Sequence, residues 1–183
     1  MTNKINIAII GCGRIAGHHM RSINSIKFFN LVAISDLSKK KSLGYAKEFS
    51  CRHYQDYKQM LKNNSSINFV AICTPSGNHF EIAKYILSKY RINLIIEKPT
   101  FLKNEHFKII ENLSKKKKVK VYPIFQNRFN KAVRRVKKAI DLKEIGEINN
   151  ISLKVHWERP LRYYNLSGWR GTYEMDGGVL TNQ

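Results

Sequence analysis

Ile5-Asn6-Ile7-Ala8-Ile9-Ile10-Gly11-Cys12-Gly13-Arg14-Ile15-Ala16 is the stretch whose reading decides the fold. Its first six residues are an apolar run of strand length, and from Ile15 to Ile26 the apolar residues take helical spacing. A strand, the turn Gly11-x-Gly13-x-x-Ala16 and a helix in that order are the context a dinucleotide fingerprint needs. Gly11 allows the tight turn, Gly13 lets backbone approach a pyrophosphate, and Ala16 keeps the helix close to the sheet. Arg14 and Ile15 open the helix, where unpaired N–H groups point at an anion.

Outward from this stretch, apolar runs alternate with amphipathic segments. Leu31–Ser35 reads as a second strand and Ser38–Phe49 as a lysine-rich helix. Tyr54–Leu61 reads as a short helix, and Phe69–Cys73 as a buried strand ending at Thr74-Pro75. A helical stripe follows from Asn78 to Tyr90, then a strand at Asn93–Ile96, a helix at Asn104–Ser114 and a last strand at Val119–Phe125. Strands that are apolar throughout, with helices between them, imply a parallel sheet covered on both faces. The expected fold class is therefore α/β, a doubly wound Rossmann sheet over residues 1–122. After Gln126-Asn127-Arg128-Phe129 the texture changes. Lys131–Leu142 is a basic helix with Ala132, Val133, Val136, Ala139 and Ile140 expected inward, and Glu147–Glu158 alternates like a long strand. Residues 123–183 read as the start of a second, α+β domain.

Several residues at the expected carboxyl edge of the sheet carry chemistry. Asp36 ends the second strand about twenty residues after the fingerprint, where a carboxylate accepts from the adenosine ribose. It favours NAD over NADP, since it would repel a 2′-phosphate, although Lys39, Lys40 and Lys41 soften that preference. Thr74, Pro75, Asn78 and His79 lie in the loop after the third long strand, a place to line the cofactor. Ser76 to Asn78 also suits a plain helix cap, and His79 suits packing. Glu97-Lys98-Pro99 ends the next strand. A partly desolvated lysine beside a cationic nicotinamide is expected to approach neutrality and act as a general base. The Lys98–Pro99 bond is one where a cis peptide is affordable.

Composition bounds the rest. The 183 residues suit one domain plus part of another, and 43% hydrophobic content suffices for a core. The formal net charge of +20 admits nucleic acid, an anionic membrane or an acidic substrate. The lysines are scattered rather than striped, so biased composition explains them better than a nucleic-acid footprint, and no helix-turn-helix, zinc or RNA-binding motif is present. Lys115–Lys118 read as a solvated helix end complementing the helix dipole. Cys12, Cys51 and Cys73 have no CxxC spacing and read as free thiols in a reducing compartment. No run is long enough to span a bilayer, so neither nucleic acid, membrane nor metal is expected as partner, and the location expected is cytoplasmic.

The Gly11–Ala16 turn, Asp36, the Thr74–His79 loop, Glu97-Lys98-Pro99, Gln126-Asn127-Arg128 and Asp176-Gly177-Gly178 occur in the order seen in the glucose–fructose oxidoreductase / inositol dehydrogenase (Gfo/Idh/MocA) family, which the sequence resembles. The resemblance implies hydride transfer between NAD and a carbohydrate or cyclitol, Lys98 as acid/base residue, and a second domain whose open sheet mediates homo-oligomerisation. It adds Glu97, Gln126, Trp169 and Arg170 to the cofactor contacts. Trp157-Glu158-Arg159-Pro160, Tyr163-Tyr164, Trp169-Arg170-Gly171-Thr172 and Asn182-Gln183 are similar to a narrower branch. That branch includes the UDP-N-acetylglucosaminuronate 3-dehydrogenases of surface-polysaccharide synthesis. It implies a nucleotide-sugar substrate met by Lys98, Arg159, Tyr164 and Asn182, with arginine forks suited to carboxylate or pyrophosphate. The family also carries a histidine one helical turn beyond the position of Asn182, and this sequence stops before it. The expectation is a truncated chain: part of a longer dehydrogenase, or a non-catalytic dinucleotide-binding module.

Overall fold

The computed structural model describes residues 4–182, so Gln183 lies outside the described residues. Six strands form one parallel sheet: β1 (Ile5–Ile10), β2 (Phe29–Ser35), β3 (Arg52–Tyr54), β4 (Phe69–Ile72), β5 (Asn93–Ile96) and β6 (Val121–Pro123). Their order is β3-β2-β1-β4-β5-β6. The chain winds outward from β1 to one edge and then, from β4, outward to the other, so the order reverses between β1 and β4. In open sheets of this kind ligands bind beyond the strands' carboxyl ends at that reversal.

The apolar runs form strands because both faces are covered. Ile7 and Ile9 of β1 face one cluster, with Ala16, Met20 and Ile23 of α1 (Arg14–Asn24) and Ala46 of α2 (Lys39–Phe49). Ala8 and Ile10 face the other cluster. There they meet Phe80, Ala83, Ile86 and Leu87 of α4 (His79–Lys89), Ile110 of α5 (Asn104–Lys117), and Met60 and Leu61 of α3 (Tyr57–Lys62). Successive side chains of a strand point to opposite faces, so a strand between two helical layers must be apolar at every position. Each such side chain contributes about 1.5–3 kcal/mol on burial.

The doubly wound α/β sheet expected from sequence is the fold observed, with element bounds shifted by a few residues. One strand went unread: Arg52-His53-Tyr54 is polar and short, and it forms only because β2 offers it an open edge. The lysine run does end a helix, with Lys118 closing α5 in a left-handed conformation (φ 54°).

The described residues divide into two compact units, one running to Ile124 and resuming at Gly171, the other Phe125–Arg170. The first unit thus takes in the segment around Asp176, which the sequence reading gave to the second domain. In the second unit, α6 (Lys131–Asp141) forms as expected, but Ala132, Val133 and Val136 are exposed rather than inward. The Glu147–Glu158 strand does not form; this segment is irregular, and Leu153 is 85% exposed. Alternation marks a strand only where a neighbouring backbone supplies hydrogen bonds, and no described segment pairs with this one. Three short helices complete the chain, α7 (Leu161–Asn165), α8 (Tyr173–Asp176) and α9 (Val179–Asn182). No helix among the described residues is long and apolar enough to cross a membrane.

Packing of this kind gives a direct expectation. Ile9→Ala, at a fully buried position of the central strand, should lower stability by about 2–5 kcal/mol. Leu153→Ala should change it by less than about 0.5 kcal/mol. Denaturant unfolding of both variants distinguishes them, and equal effects would contradict the placement of the core.

Candidate dinucleotide site

The glycine turn is fixed by close approach. Gly11 has φ 93°, donates its N–H to Ser35 O at 2.7 Å, and leaves no room for a Cβ, which would stand 2.7 Å from the Cys73 carbonyl carbon. The end of β1 is therefore pressed against the end of β4. Gly13 caps α1 in an extended conformation, with no heavy atom within 4 Å of where a Cβ would lie. No side chain caps this helix start and no acidic residue occupies its first turn. Its outward N–H groups, with exposed Arg14 and Ile15 beside them, are left for solvent or an anion.

Asp36 binds back to the same turn. One carboxylate oxygen accepts from Cys12 N at 2.7 Å and the other from Ser38 N at 2.8 Å. Each oxygen retains a second lone pair for a hydroxyl. The Cys12 thiol is buried here, and burial, reinforced by Asp36, pushes its pKa up to about 12. All three cysteines are free, and burial likewise raises Cys51 to about 11 and Cys73 well above the usual range. None is a nucleophile near neutral pH.

The loop after β4 runs Thr74-Pro75 into a tight 3-10 turn, Ser76–Asn78, which leads into α4 with exposed Asn78 as its uncapped start. His79 is buried, with Nδ1 2.9 Å from Pro99 O and Nε2 3.0 Å from Thr74 O. Burial holds its pKa below the usual histidine value, against the pull of those carbonyls. The ring lies between carbonyls of the loops after β4 and β5, and the nitrogen that carries hydrogen donates to one of them, so His79 serves packing and loop anchoring here. Next to it the hydroxyls of Thr74 and Thr100 are buried without a hydrogen-bond partner. A buried hydroxyl without a partner is costly, and a ligand at this edge is one way to satisfy it.

Lys98 emerges at the same edge, preceding a cis bond to Pro99. Its Nζ donates to Asn182 O at 2.6 Å and to Asn182 Oδ1 at 2.7 Å. The Asn182 amide nitrogen donates to Asp176 Oδ1, while Asp176 Oδ2 accepts from Gly171 N at 2.9 Å. Asp176 and Asn182 are both buried. On the other side of Lys98, Glu97 is buried, and its carboxylate meets His19 Nε2 at 2.7 Å and Lys98 N at 3.2 Å. The C-terminal segment docks through a second close approach, since a Cβ on Gly77 would stand 2.7 Å from Met175 Sδ.

The first unit thus gathers Gly11, Gly13, Arg14, Ile15, Asp36, Thr74, Pro75, Asn78, His79, Glu97, Lys98 and Asn182 around the carboxyl ends of its strands. Gln126, Arg159, Tyr164, Trp169 and Arg170 belong to the second unit. There the Arg159 guanidinium lies 3.6 Å from the Trp157 ring centre and 4.9 Å from that of Tyr163. Arg170 lies over Tyr163 at 4.8 Å and Trp169 at 4.7 Å, and Tyr164 packs edge-on against Tyr163. Gln126 opens a short exposed turn. Sequence reasoning missed His19, although a histidine between Ala16, Met20 and Ile23 on an apolar helix face was a visible signal. It noticed Asp176 only as part of a motif, without a role.

An NAD-binding Rossmann sheet bearing a lysine at its carboxyl edge is the class this geometry defines. The model of the oxidoreductase family GFO_IDH_MocA, NAD-binding Rossmann fold, matches residues 5–125, and the chain belongs to that family. Among solved structures it is similar to the WlbA dehydrogenase from Chromobacterium violaceum in complex with NADH and UDP-GlcNAcA, with a TM-score of 0.94 and 29% identity, covering 99% of this chain and 52% of that one. The corresponding WlbA complex from Bordetella pertussis gives 0.93 and 30%, covering 98% and 55%. Among curated proteins, myo-inositol 2-dehydrogenase of Thermotoga maritima is 26% identical over 90% of this chain and 49% of its own length. The chain spans about half the length of the curated relatives it matches.

The Asp176 contacts have a sharp consequence. Asp176→Asn keeps the shape but leaves one acceptor where two donors converge, so an amide N–H must face another donor. The variant should lose about 1–3 kcal/mol of stability in denaturant unfolding. Unchanged stability would contradict the arrangement.

Proposed function

We propose that this chain binds NAD along the carboxyl edge of its sheet and serves an oxidoreductase that removes a hydride from a hydroxyl-bearing carbon of a sugar or nucleotide sugar. In the finer form of the reading the substrate is UDP-GlcNAcA. The position of Lys98 carries the proposal. It stands at the end of β5, held by Asn182, on the edge where the glycine turn and Asp36 also lie.

The residues fit a dinucleotide. The open front of Gly13 and the uncapped start of α1 suit the pyrophosphate, and Asp36 keeps lone pairs for ribose hydroxyls while opposing a 2′-phosphate. The orphaned Thr74 hydroxyl offers a further polar contact. A bound nicotinamide would supply the hydride acceptor. Lys98 Nζ would take the proton of the hydroxyl being oxidised. The two Asn182 oxygens that accept from Nζ fix its position at the strand end. Arg159 and Arg170, in the second unit, carry guanidinium forks of the kind that suits carboxylate or pyrophosphate. The similarity to WlbA, whose complexes hold UDP-GlcNAcA, favours that substrate over a plain cyclitol. Three unpaired cysteines suit a cytoplasmic setting.

Replacing Lys98 by Met should remove proton transfer while sparing the dinucleotide. NADH affinity should stay within about twofold, and reduction of NAD in the presence of UDP-GlcNAcA should fall by about 10²–10⁴-fold. Stopped-flow absorbance of the nicotinamide measures this, and unchanged reduction would defeat the assignment.

A further inference from the structure

We infer that Asp176 is a positioning residue for Lys98, and that it works by deciding which end of the Asn182 amide faces the lysine. The inference rests on the reading of Lys98 as proton acceptor and goes beyond it, since it assigns a task to a residue that acts through another side chain.

An amide side chain is a donor at one end and an acceptor at the other. The Asn182 amide lies between two groups of opposite demand. Its nitrogen donates to Asp176 Oδ1, and its oxygen accepts from Lys98 Nζ at 2.7 Å. A carboxylate only accepts and a lysine ammonium only donates, so one orientation of the amide satisfies both neighbours. Turned about, the amide would set its oxygen against the carboxylate and its N–H groups against Nζ. That placement would also oppose proton transfer, because an N–H facing the neutral amine takes up the lone pair that receives the proton. With the oxygen facing Nζ, this contact uses an N–H of the lysine rather than the lone pair.

Asp176 is itself held in place. It is buried, its Oδ2 accepts from Gly171 N at 2.9 Å, and its own N–H donates to Thr172 O at 3.0 Å. Two close approaches seat the segment that carries it. A Cβ on Gly77 would stand 2.8 Å from Glu174 O, and one on Gly177 would stand 2.6 Å from Leu102 Cδ2. Gly177 and Gly178 both have φ 80°, a left-handed conformation that glycine takes without steric cost. Through them the chain passes from α8 into α9, and Asn182 meets Asp176 again six residues on. The carboxylate is thus a fixed reference, and the amide takes its orientation from it.

The test reads Lys98 directly, with no need for turnover. The chain is acylated by acetic anhydride at one fixed pH, and peptide mass spectrometry gives the labelling rate of Lys98 relative to Lys115, exposed on α5, in the same sample. Asp176→Leu removes the acceptor that orients the amide, and Lys98, less firmly held, should label about threefold faster or more. Asn182→Leu should have a similar effect. In the Asn182→Leu background, Asp176→Leu should add no further change, because the side chain through which it acts is gone. Asp176→Asn keeps the shape and one acceptor, so it should move the rate the same way by less, and it decides the matter if labelling throughout the chain shows that Asp176→Leu has unfolded. An unchanged Lys98 rate in a folded Asp176 variant would overturn the inference. So would a change that persists without the Asn182 side chain, since Asp176 would then act by its charge or by general loosening. The base reading fails separately, if Lys98→Met leaves NAD reduction unchanged.

Discussion

The Gly11 backbone lies so close to the peptide joining Cys73 and Thr74 that any side chain would collide with it. The rest of the structure depends on this contact. It brings the ends of β1 and β4 together at the point where the strand order reverses, while α1 and α4 leave on opposite faces of the sheet. The crevice between their starting points is where the outward N–H groups of α1, the loop after β4 and the strand-end lysine of β5 converge. An alanine at position 11 would have to push those two strand ends apart at a positive φ, and the edge would lose its shape.

Around that crevice the polar groups form two short chains that meet at Lys98. One runs through Asn182 to Asp176 and Gly171 and fixes the ammonium from the C-terminal segment. The other runs through Glu97 to His19 and fixes the peptide from the dinucleotide helix. Charged groups buried in this way persist only when fully hydrogen bonded, so each chain is as rigid as its weakest partner. His79 lies between the loops after β4 and β5, with a ring nitrogen near a carbonyl of each. A single lysine is thus held by residues from the first helix, the fifth strand and the last turn.

Most of the fold could be read in the sequence because its signals are local. An unbroken apolar run means a strand covered on both faces, and Gly11, Gly13 and Ala16 each answer a constraint within a few residues. Asp36 was singled out on local grounds too, by its distance from the turn, and its carboxylate accepts from Cys12 N of that turn. What stayed hidden depends on distant partners. Arg52–Tyr54 is a strand only because β2 has an open edge, and Glu147–Glu158 is irregular because nothing described pairs with it. The link from Lys98 to Asn182 spans 84 residues and that from His19 to Glu97 spans 78, beyond any periodicity. Asp176 could be recognised as part of a motif, but its task appears only when Gly171 and Asn182 fold back onto its two oxygens.

The central claim, that this sheet edge holds NAD, is tested most directly by titrating the chain into NADH and, in parallel, into NADPH while following nicotinamide fluorescence. The account predicts saturable one-site binding of NADH and weaker binding of NADPH, because Asp36 opposes a 2′-phosphate. Absence of NADH binding, or a preference for NADPH, would contradict it.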